Sequence, residues 1–336
     1  MSVIELYAEN IVMVRKYELI DYSNFSNLQL KDDYISSIIR RSNYYYKDYY
    51  IPKSNGGRRK ISQASPELKT LQYWVKTNIL SLLPISKAAF AYNRGNSIKK
   101  HATFHKESYF IFHTDIKDFF PSITSEHLVA ELAANRGIIE AANLWDDDIL
   151  DVVSSICFRR NHLCIGTVSS PIICNIVMYA FDEHFTNYCN RRNWKYSRYA
   201  DDIYISAQEY LPSSLQSEVN EKLHEIGFSS NAYKSWFCSK KCRREITGLI
   251  LTETGKVSVG LEKRLAIKKM VYERIMHGRG DPDTILGSLA FLKDVEPNSY
   301  NSLLIKYAAY CDGDVIDAIK TGPKPHRVIT LDLPDI

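Results

Sequence analysis

Apolar positions recur with two different periods along this chain, and the change between them predicts a mixed fold. Residues 30–41 and 261–278 carry apolar side chains three or four positions apart, which is the spacing of an amphipathic helix. Residues 196–206 are instead rich in aromatic and β-branched side chains, which favour strands. Further helices are predicted at residues 65–82, 125–136, 146–158, 170–188, 215–226, 282–294 and 299–312. The pattern therefore predicts an α+β protein.

Local signals sharpen several of these elements. Ser65 followed by Pro66 is a favourable helix start, because serine caps a helix and proline suits its first position. An Asn-Gly-Gly run at residues 55–57 predicts a tight turn between two short strands. Residues 246–251 are predicted to form one strand. In the helix from residue 261, a buried stripe is predicted from Leu261, Leu265, Tyr272 and Ile275.

Two adjacent carboxylates, Asp201 and Asp202, lie in the segment 196–206, where the tight turn of a hairpin is expected to carry both. Because successive strand side chains point to opposite faces, only one of them can point squarely at a given metal ion. Asp115 lies in a second such segment, residues 112–123, where a strand runs into a turn. Two strand-borne carboxylates could hold two divalent ions about 4 Å apart, the arrangement used for in-line phosphoryl transfer. An isolated Asp-Asp pair is more often a solvated turn, and the patterned segment around Asp115 is what favours a site.

These segments resemble the palm of a reverse transcriptase, and in particular that of the retron-type bacterial enzymes. Tyr199–Asp202 reads as the YADD form of the YxDD box, and Asp115 lies in the first-acid box. Residues 101–105 have the pattern of the NAxxH element with His101 in place of its asparagine, and residues 246–248 have that of the VTG element. The order and spacing of these motifs match over residues 51–260.

The resemblance implies a right-hand fold with an antiparallel palm sheet, fingers and a helical thumb. On this basis we expect an N-terminal helical extension at residues 1–50, fingers and palm at 51–255, and a thumb at 256–320. The remaining residues, 321–336, are expected to form an irregular C-terminal tail. Asp115 and Asp201 are then expected to hold two Mg²⁺ ions with Asp202 assisting, because Mg²⁺ takes oxygen ligands and is shared with substrate phosphates.

The resemblance also implies contacts to the incoming nucleotide. Lys53 and Arg59, in the basic hairpin of the fingers, are expected to bind the triphosphate, and Lys234 is expected nearby. Phe120 occupies the position of a bulky aromatic beneath the sugar, where it would collide with a 2′-hydroxyl. Phe119 and Phe120 could instead both be core residues. Ile165 stands where the family has a glutamine that helps to frame the sugar.

Contacts to RNA are implied for His101 and His105, four residues apart on one helix face, and for Thr247 and Gly248. Packing is an equally good interpretation of the two histidines, and a metal site is disfavoured because no third ligand is near. Residues 231–280 contain twelve Lys or Arg against four Glu, which indicates a phosphate-binding surface or, alternatively, a solvated helix face.

Composition excludes other classes. The 336 residues are 45% hydrophobic and 24% charged, as in ordinary globular proteins. No apolar run is long enough to span a membrane, the first residues do not resemble a signal peptide, and the seven cysteines are scattered. Cys238 and Cys242 lack the further ligands of a zinc site, so free thiols in a reducing cytoplasm are expected.

The predicted function is that of an RNA-directed DNA polymerase that copies a cognate structured non-coding RNA. The resemblance implies priming from a 2′-hydroxyl of that RNA, which yields branched multicopy single-stranded DNA, and a role in anti-phage defence with an effector protein encoded nearby. The alternatives are a group II intron-like or diversity-generating reverse transcriptase, and an inactive polymerase fold that serves as an RNA-binding scaffold or antitoxin subunit.

Overall fold

A computed structural model of the chain describes residues 32–53, 56–146, 148–311 and 314–322. Most of the predicted N-terminal extension, most of the C-terminal tail and the Asn55 turn position lie outside these residues. The described chain divides into two compact units. The first runs to Asn96 and includes Ser108–Phe237, and the second combines Ser97–Glu107 with the residues from Cys238 onward. The predicted boundaries of fingers, palm and thumb stay predictions.

The first unit contains six strands or strand parts and most of the helices. Its strands are β1 (Tyr46–Pro52), β2 (Arg58–Ala64), β3 (Phe110–Asp115), β4 (Lys195–Tyr199), β5 (Asp202–Ala207) and the beginning of β6 (Trp236–Ser239). Its helices are α1 (Asp32–Arg40), α2 (Pro66–Asn78), α4 (Phe119–Ser122), α5 (Ser125–Ala134), α6 (Arg136–Ala141), α7 (Ile149–Cys157), α8 (Ser170–Val177), α9 (Tyr179–Asn190) and α10 (Leu215–Glu225). Short 3₁₀ turns occur at Ser42–Tyr44, Leu80–Leu82 and Ala232–Lys234.

A four-stranded sheet with the order β4-β5-β3-β6 forms the centre of this unit. Strand β5 pairs antiparallel with both β3 and β4, and its residues from Ile203 to Ala207 are all buried. A strand that is buried on both faces needs apolar side chains at successive positions rather than at alternate ones. This explains the aromatic and β-branched residues of the segment. Ile203, Ile205 and Phe112 of the sheet share one core with Phe181 and Phe185 of α9.

Two predicted helices of this unit can be compared directly with the structure. Helix α2 begins as predicted, since the Ser65 hydroxyl accepts a hydrogen bond from the Leu68 amide and Pro66 takes the first position. The single helix predicted for residues 170–188 is wrong: Met178, with ψ near 2°, separates α8 from α9. The apolar pattern continues through the break, so periodicity alone could not reveal it.

The second unit contains helix α3 (Ile98–His105), a small antiparallel sheet and a group of helices. The sheet consists of β7 (Arg244–Ile246), β8 (Leu249–Leu251) and β9 (Val257–Ser258). The helices are α11 (Leu261–His277), α12 (Pro282–Val295), α13 (Pro297–Ala308) and α14 (Val315–Thr321). In the parts of the chain described, no helix is long and apolar enough to cross a membrane.

Two predictions for the second unit are wrong. Residues 246–251 are not one strand, because Thr247 and Gly248 have φ of 46° and 78° and turn the chain between β7 and β8. Of the stripe predicted in α11, only Ile275 is buried, together with Ile267 and Val271, whereas Leu261, Leu265 and Tyr272 are 64%, 53% and 42% exposed. Both stripes satisfy the helical period, and only the packing of neighbouring helices selects between them. The predicted end of this helix at Gly278 is confirmed by its left-handed conformation, with φ of 67°.

Candidate active site

The acidic residues Asp115, Asp201 and Asp202 meet at one end of the central sheet. Asp115 ends β3 and stands directly opposite Asp202, the first residue of β5, so both side chains project from the same face. Asp201 lies in the turn between β4 and β5, after Ala200 with φ of 56°. The amide of Ile116 donates to the Asp201 carbonyl at 2.9 Å, which attaches this turn to the end of β3. The predicted hairpin is therefore present, and tertiary pairing brings the first acid to it.

Electrostatics in this acidic cluster favour a cation. Burial, followed by the charges of Asp202 and Asp115, raises the pKa of Asp201 from 3.8 to about 6. Mutual repulsion among carboxylates is relieved when a positive charge binds between them. All the donors are oxygen atoms, which suits a hard divalent ion such as Mg²⁺.

Lys234 supplies a positive charge to this cluster. Its Nζ atom lies 2.9 Å from each carboxylate oxygen of Asp115. Burial acts against the charge of the ammonium group, but the hydrogen bond and charge of Asp115 raise the pKa of Lys234. No group of three or more potential metal ligands converges on one point among the described residues. The acids fit a divalent ion chemically, and binding would require Lys234 to release or share Asp115.

A buried network behind the acidic turn was not predicted from the sequence. The Arg198 guanidinium donates to Asp182 from Nε at 2.9 Å and from Nη2 at 2.7 Å, and both side chains are fully buried. Its Nη1 atom donates to the Ala200 carbonyl at 2.9 Å, and Nη2 also donates to Asn175 Oδ1 at 3.1 Å. The Tyr196 hydroxyl donates to the same aspartate at 2.7 Å. Strand β4, Lys195–Tyr199, is mostly polar in sequence, so nothing in its pattern indicated that Arg198 would be buried.

The two adjacent phenylalanines have different environments. Phe119 is 3% exposed and belongs to the core, whereas Phe120 is half-buried and lies edge-on to Tyr92, with ring centroids 6.4 Å apart. Both lie on the single turn α4 rather than on a strand. Tyr92, which the sequence did not single out, is 56% exposed and joins Phe120 near the acidic cluster. Burial, with smaller contributions from charges that include Asp201, raises its pKa to about 12, and Arg59 opposes this increase.

Lys53 and Arg59 are both exposed on the β1–β2 hairpin. Arg59 stands opposite Ile51, and the Lys53 amide donates to the Gly57 carbonyl at 3.1 Å just beyond the paired strands. The loop around Ile165 packs against this hairpin, since the Ser62 amide donates to the Ile165 carbonyl at 2.9 Å. A Cβ atom at Gly166 would approach Ile61 Cγ2 to 2.7 Å, so only glycine permits this contact without a shift.

In the second unit, His101 and His105 are fully buried and their rings meet edge to face, with centroids 5.5 Å apart. His101 Nδ1 lies 3.4 Å from Thr247 Oγ1, so α3 supports the turn between β7 and β8. Thr247 is half-buried and Gly248 is exposed. Direct RNA contact by the two histidines, which stays a prediction, would require α3 to move, whereas Gly248 is already accessible.

An antiparallel sheet with three acids at adjoining strand ends, beside a basic hairpin, has the architecture of a templated polymerase palm. The reverse transcriptase (RNA-dependent DNA polymerase) family matches residues 51–251. This chain belongs to that family, and its relatives identify it as retron-type, an RNA-directed DNA polymerase. The family generally uses divalent metal ions.

Three relatives from Escherichia coli support the retron assignment. Retron Ec73 reverse transcriptase is 31% identical over 299 residues, which cover 85% of this chain and 94% of that protein. Retron Ec83 reverse transcriptase is 32% identical and covers 78% of this chain and 87% of its own length. Retron Ec86 reverse transcriptase is 29% identical, with coverages of 80% and 82%.

Proposed function

We propose that this chain copies a cognate structured RNA into DNA, priming from a 2′-hydroxyl of that RNA to produce branched multicopy single-stranded DNA. The observation that carries the polymerase chemistry is the cross-strand pairing of Asp115 with Asp202, beside the strongly perturbed Asp201. The similarity to retron enzymes over most of the chain supports the branched product.

We assign Asp115, Asp201 and Asp202 to binding two Mg²⁺ ions. When bound, such ions activate the attacking hydroxyl and neutralise the departing pyrophosphate. The chain itself orients these groups: Arg198 holds the backbone of the turn, and Lys234 holds Asp115 until substrate arrives. Transfer of Lys234 from Asp115 to a phosphate of the substrate would free the carboxylate for metal.

The substrates in this proposal are deoxynucleoside triphosphates. Lys53 and Arg59 are exposed cations on a hairpin and are assigned to the triphosphate. Phe120, held beside Tyr92, is assigned to exclusion of the 2′-hydroxyl. Because this exclusion is steric, it should respond to the size of the side chain rather than to its polarity.

RNA binding is assigned to the second unit. Lys241, Arg243, Lys256, Lys268 and Lys269 are exposed there, and the turn at Thr247 and Gly248 is partly accessible. Cations on a surface bind the phosphate backbone, and structured RNA is recognised largely by its shape. The buried His101 and His105 would then act by supporting the turn.

The biological proposal is that the branched product acts in the cytoplasm in anti-phage defence, together with an effector protein encoded nearby. The alternatives predict different nucleic acids. A group II intron-like enzyme would carry no RNA–DNA branch, and an inactive scaffold would carry RNA without DNA.

The test combines sequencing with one variant. Nucleic acid that co-purifies with the parent protein is sequenced for a covalent RNA–DNA branch, and the same is done for Asp201→Asn with Asp202→Asn. We expect the double variant to lose DNA synthesis and to keep most RNA binding, because RNA affinity comes mainly from basic and aromatic surface. Equal DNA yield from the two proteins would refute the assignment of the acids. Phage plating efficiency with each protein tests the defence role.

A further inference from the structure

His113 is held rigidly beside the acidic cluster by aromatic neighbours. It lies on β3 two residues before Asp115, stands opposite Tyr204 of β5, and is 7% exposed. Its ring stacks on Trp236 at a centroid distance of 5.0 Å and an interplanar angle of 24°. The Tyr204 ring lies 4.7 Å away. A ring packed between two aromatic side chains has little freedom to rotate, so its nitrogen atoms have defined directions.

Both nitrogen atoms of this ring contact the cluster. Nε2 lies 2.8 Å from Oδ1 of Asp202, and Nδ1 lies 3.2 Å from the backbone carbonyl of Lys234. Because an ionised carboxylate only accepts hydrogen bonds, Nε2 carries the donated proton. The Lys234 carbonyl is also an acceptor, so the Nδ1 contact is a hydrogen bond only in the doubly protonated ring, whereas a ring protonated on Nε2 alone already donates to Asp202.

Asp202 needs such a partner to have a defined orientation. Its side chain is 34% exposed, and an unrestrained carboxylate there would rotate among several directions. The hydrogen bond from His113 engages one lone pair of Oδ1 and leaves the other lone pairs of the carboxylate, including those of Oδ2, able to bind a cation. A ligand already held in its bound orientation loses less entropy on binding, and the cation then binds more tightly.

We propose that His113 is a positioning residue that orients the Asp202 carboxylate for binding of the divalent ion. The inference rests on the proposed function in one respect, the assignment of Asp202 to that ion. His113 is not one of the three acids, and it acts on Asp202 through its Nε2 atom.

Substitutions can distinguish the contributions of the two ring nitrogen atoms. In His113→Gln the amide nitrogen is as many bonds from Cα as Nε2 and can still donate to Asp202. In His113→Asn the amide nitrogen corresponds to Nδ1 and can reach only the Lys234 carbonyl. His113→Phe keeps a ring to stack on Trp236 but donates to neither. All three variants are checked for parental thermal unfolding and RNA binding.

The first readout is binding of Mn²⁺ alone to RNA-free protein, measured from the electron paramagnetic resonance signal of the free ion. The second is the Mg²⁺ concentration that gives half-maximal primer extension. We expect His113→Asn and His113→Phe to weaken both about tenfold, in keeping with a lost hydrogen bond to a charged group. We expect His113→Gln to remain within about twofold of the parent.

The inference is overturned if the three variants bind Mn²⁺ as the parent does, or if the glutamine variant is impaired as much as the asparagine variant. Failure of the proposed function looks different, because the parent protein itself would then make no DNA at any Mg²⁺ concentration. The Mn²⁺ comparison among the variants still decides the role of His113 in that case.

Discussion

Two ion pairs in the same unit differ in their exposure to solvent. Arg198 and Asp182 are both fully buried, and the guanidinium also donates to Asn175 and to the Ala200 carbonyl. Lys234 and Asp115 form the second pair, in which the lysine side chain is 52% exposed and the aspartate 8%. The first pair is enclosed and can only hold the turn of the acids in place. The second has one partner in solvent, so its positive charge can leave.

The chemistry of the two cations fits these designs. Arginine presents several donors in a rigid plane, which satisfies a buried carboxylate and additional acceptors at once. Lysine is a point charge on a flexible stem and can exchange one anion for another at small cost. A site that must be both rigid and able to admit substrate uses each where it is suited. Four substitutions test this difference between enclosed and accessible side chains.

The largest effect is expected from the buried pair. Arg198→Met leaves Asp182 as an unpaired buried charge and should lower the free energy of unfolding by about 3–5 kcal/mol. Thermal and urea unfolding measure this, with the exposed Arg191→Met as the control. Adding Asp182→Leu should recover part of the lost free energy of unfolding, because no unpaired charge then remains buried. A parental melting temperature for Arg198→Met would contradict a structural role for the pair.

The contrast between enclosed and accessible side chains also applies to the two phenylalanines. Phe120→Val should lower discrimination against ribonucleotides by about 10- to 100-fold. A change in side-chain volume of a few methylene groups alters the difference in activation free energy between two substrates by that amount. Primer extension with each nucleotide set gives the ratio of kcat/KM values. Phe119→Val, in the core, is the matched control and should mainly reduce stability. If folded Phe120→Val discriminates as strictly as the parent, this residue does not exclude the hydroxyl.

The acids themselves should oppose folding when no metal is present. The folded-state pKa of Asp201, about 6, lies above its ordinary value of 3.8, so parent stability falls as pH rises through this interval. Asp201→Asn lacks this loss and should be more stable than the parent at pH 8 by about 3 kcal/mol. The gain should disappear by about pH 3, below the ordinary pKa of 3.8, where this position is neutral in the folded and the unfolded parent alike. Thermal unfolding in EDTA tests this, with the exposed Asp151→Asn as the charge control.

The smallest effect is expected at the exchangeable pair. Lys234→Met should raise the KM for the nucleotide about tenfold, through loss of a charged hydrogen bond, and should lower the melting temperature less than Arg198→Met does, because only one partner of this pair is buried. It should also tighten Mn²⁺ binding, because the competing ammonium group is gone. Lys222→Met, on the outer helix α10 and paired with Glu225, is the control. A large loss of stability in Lys234→Met would mean that the two pairs are not different in kind.

The sequence predicted those structural features that depend only on residues close together in the chain. The cap at Ser65, the glycine end of α11 and the hairpin that carries Asp201 and Asp202 all follow from residues a few positions apart. The family motifs identified the chain as a retron-type reverse transcriptase because they keep their order and spacing, which a single short motif would not do.

Only the tertiary structure decided the remaining features. No period could choose between the two apolar stripes of α11 or reveal the break at Met178, since each alternative satisfies the same spacing. Arg198 meets Asp182, His113 meets Asp202 and Lys234 meets Asp115 across separations of 16, 89 and 119 residues. The motifs thus indicated the acids to which we assign the chemistry. What holds those acids depends on side chains that come together only when the sheet and helices pack, because a sequence contains no direct record of distances between remote residues.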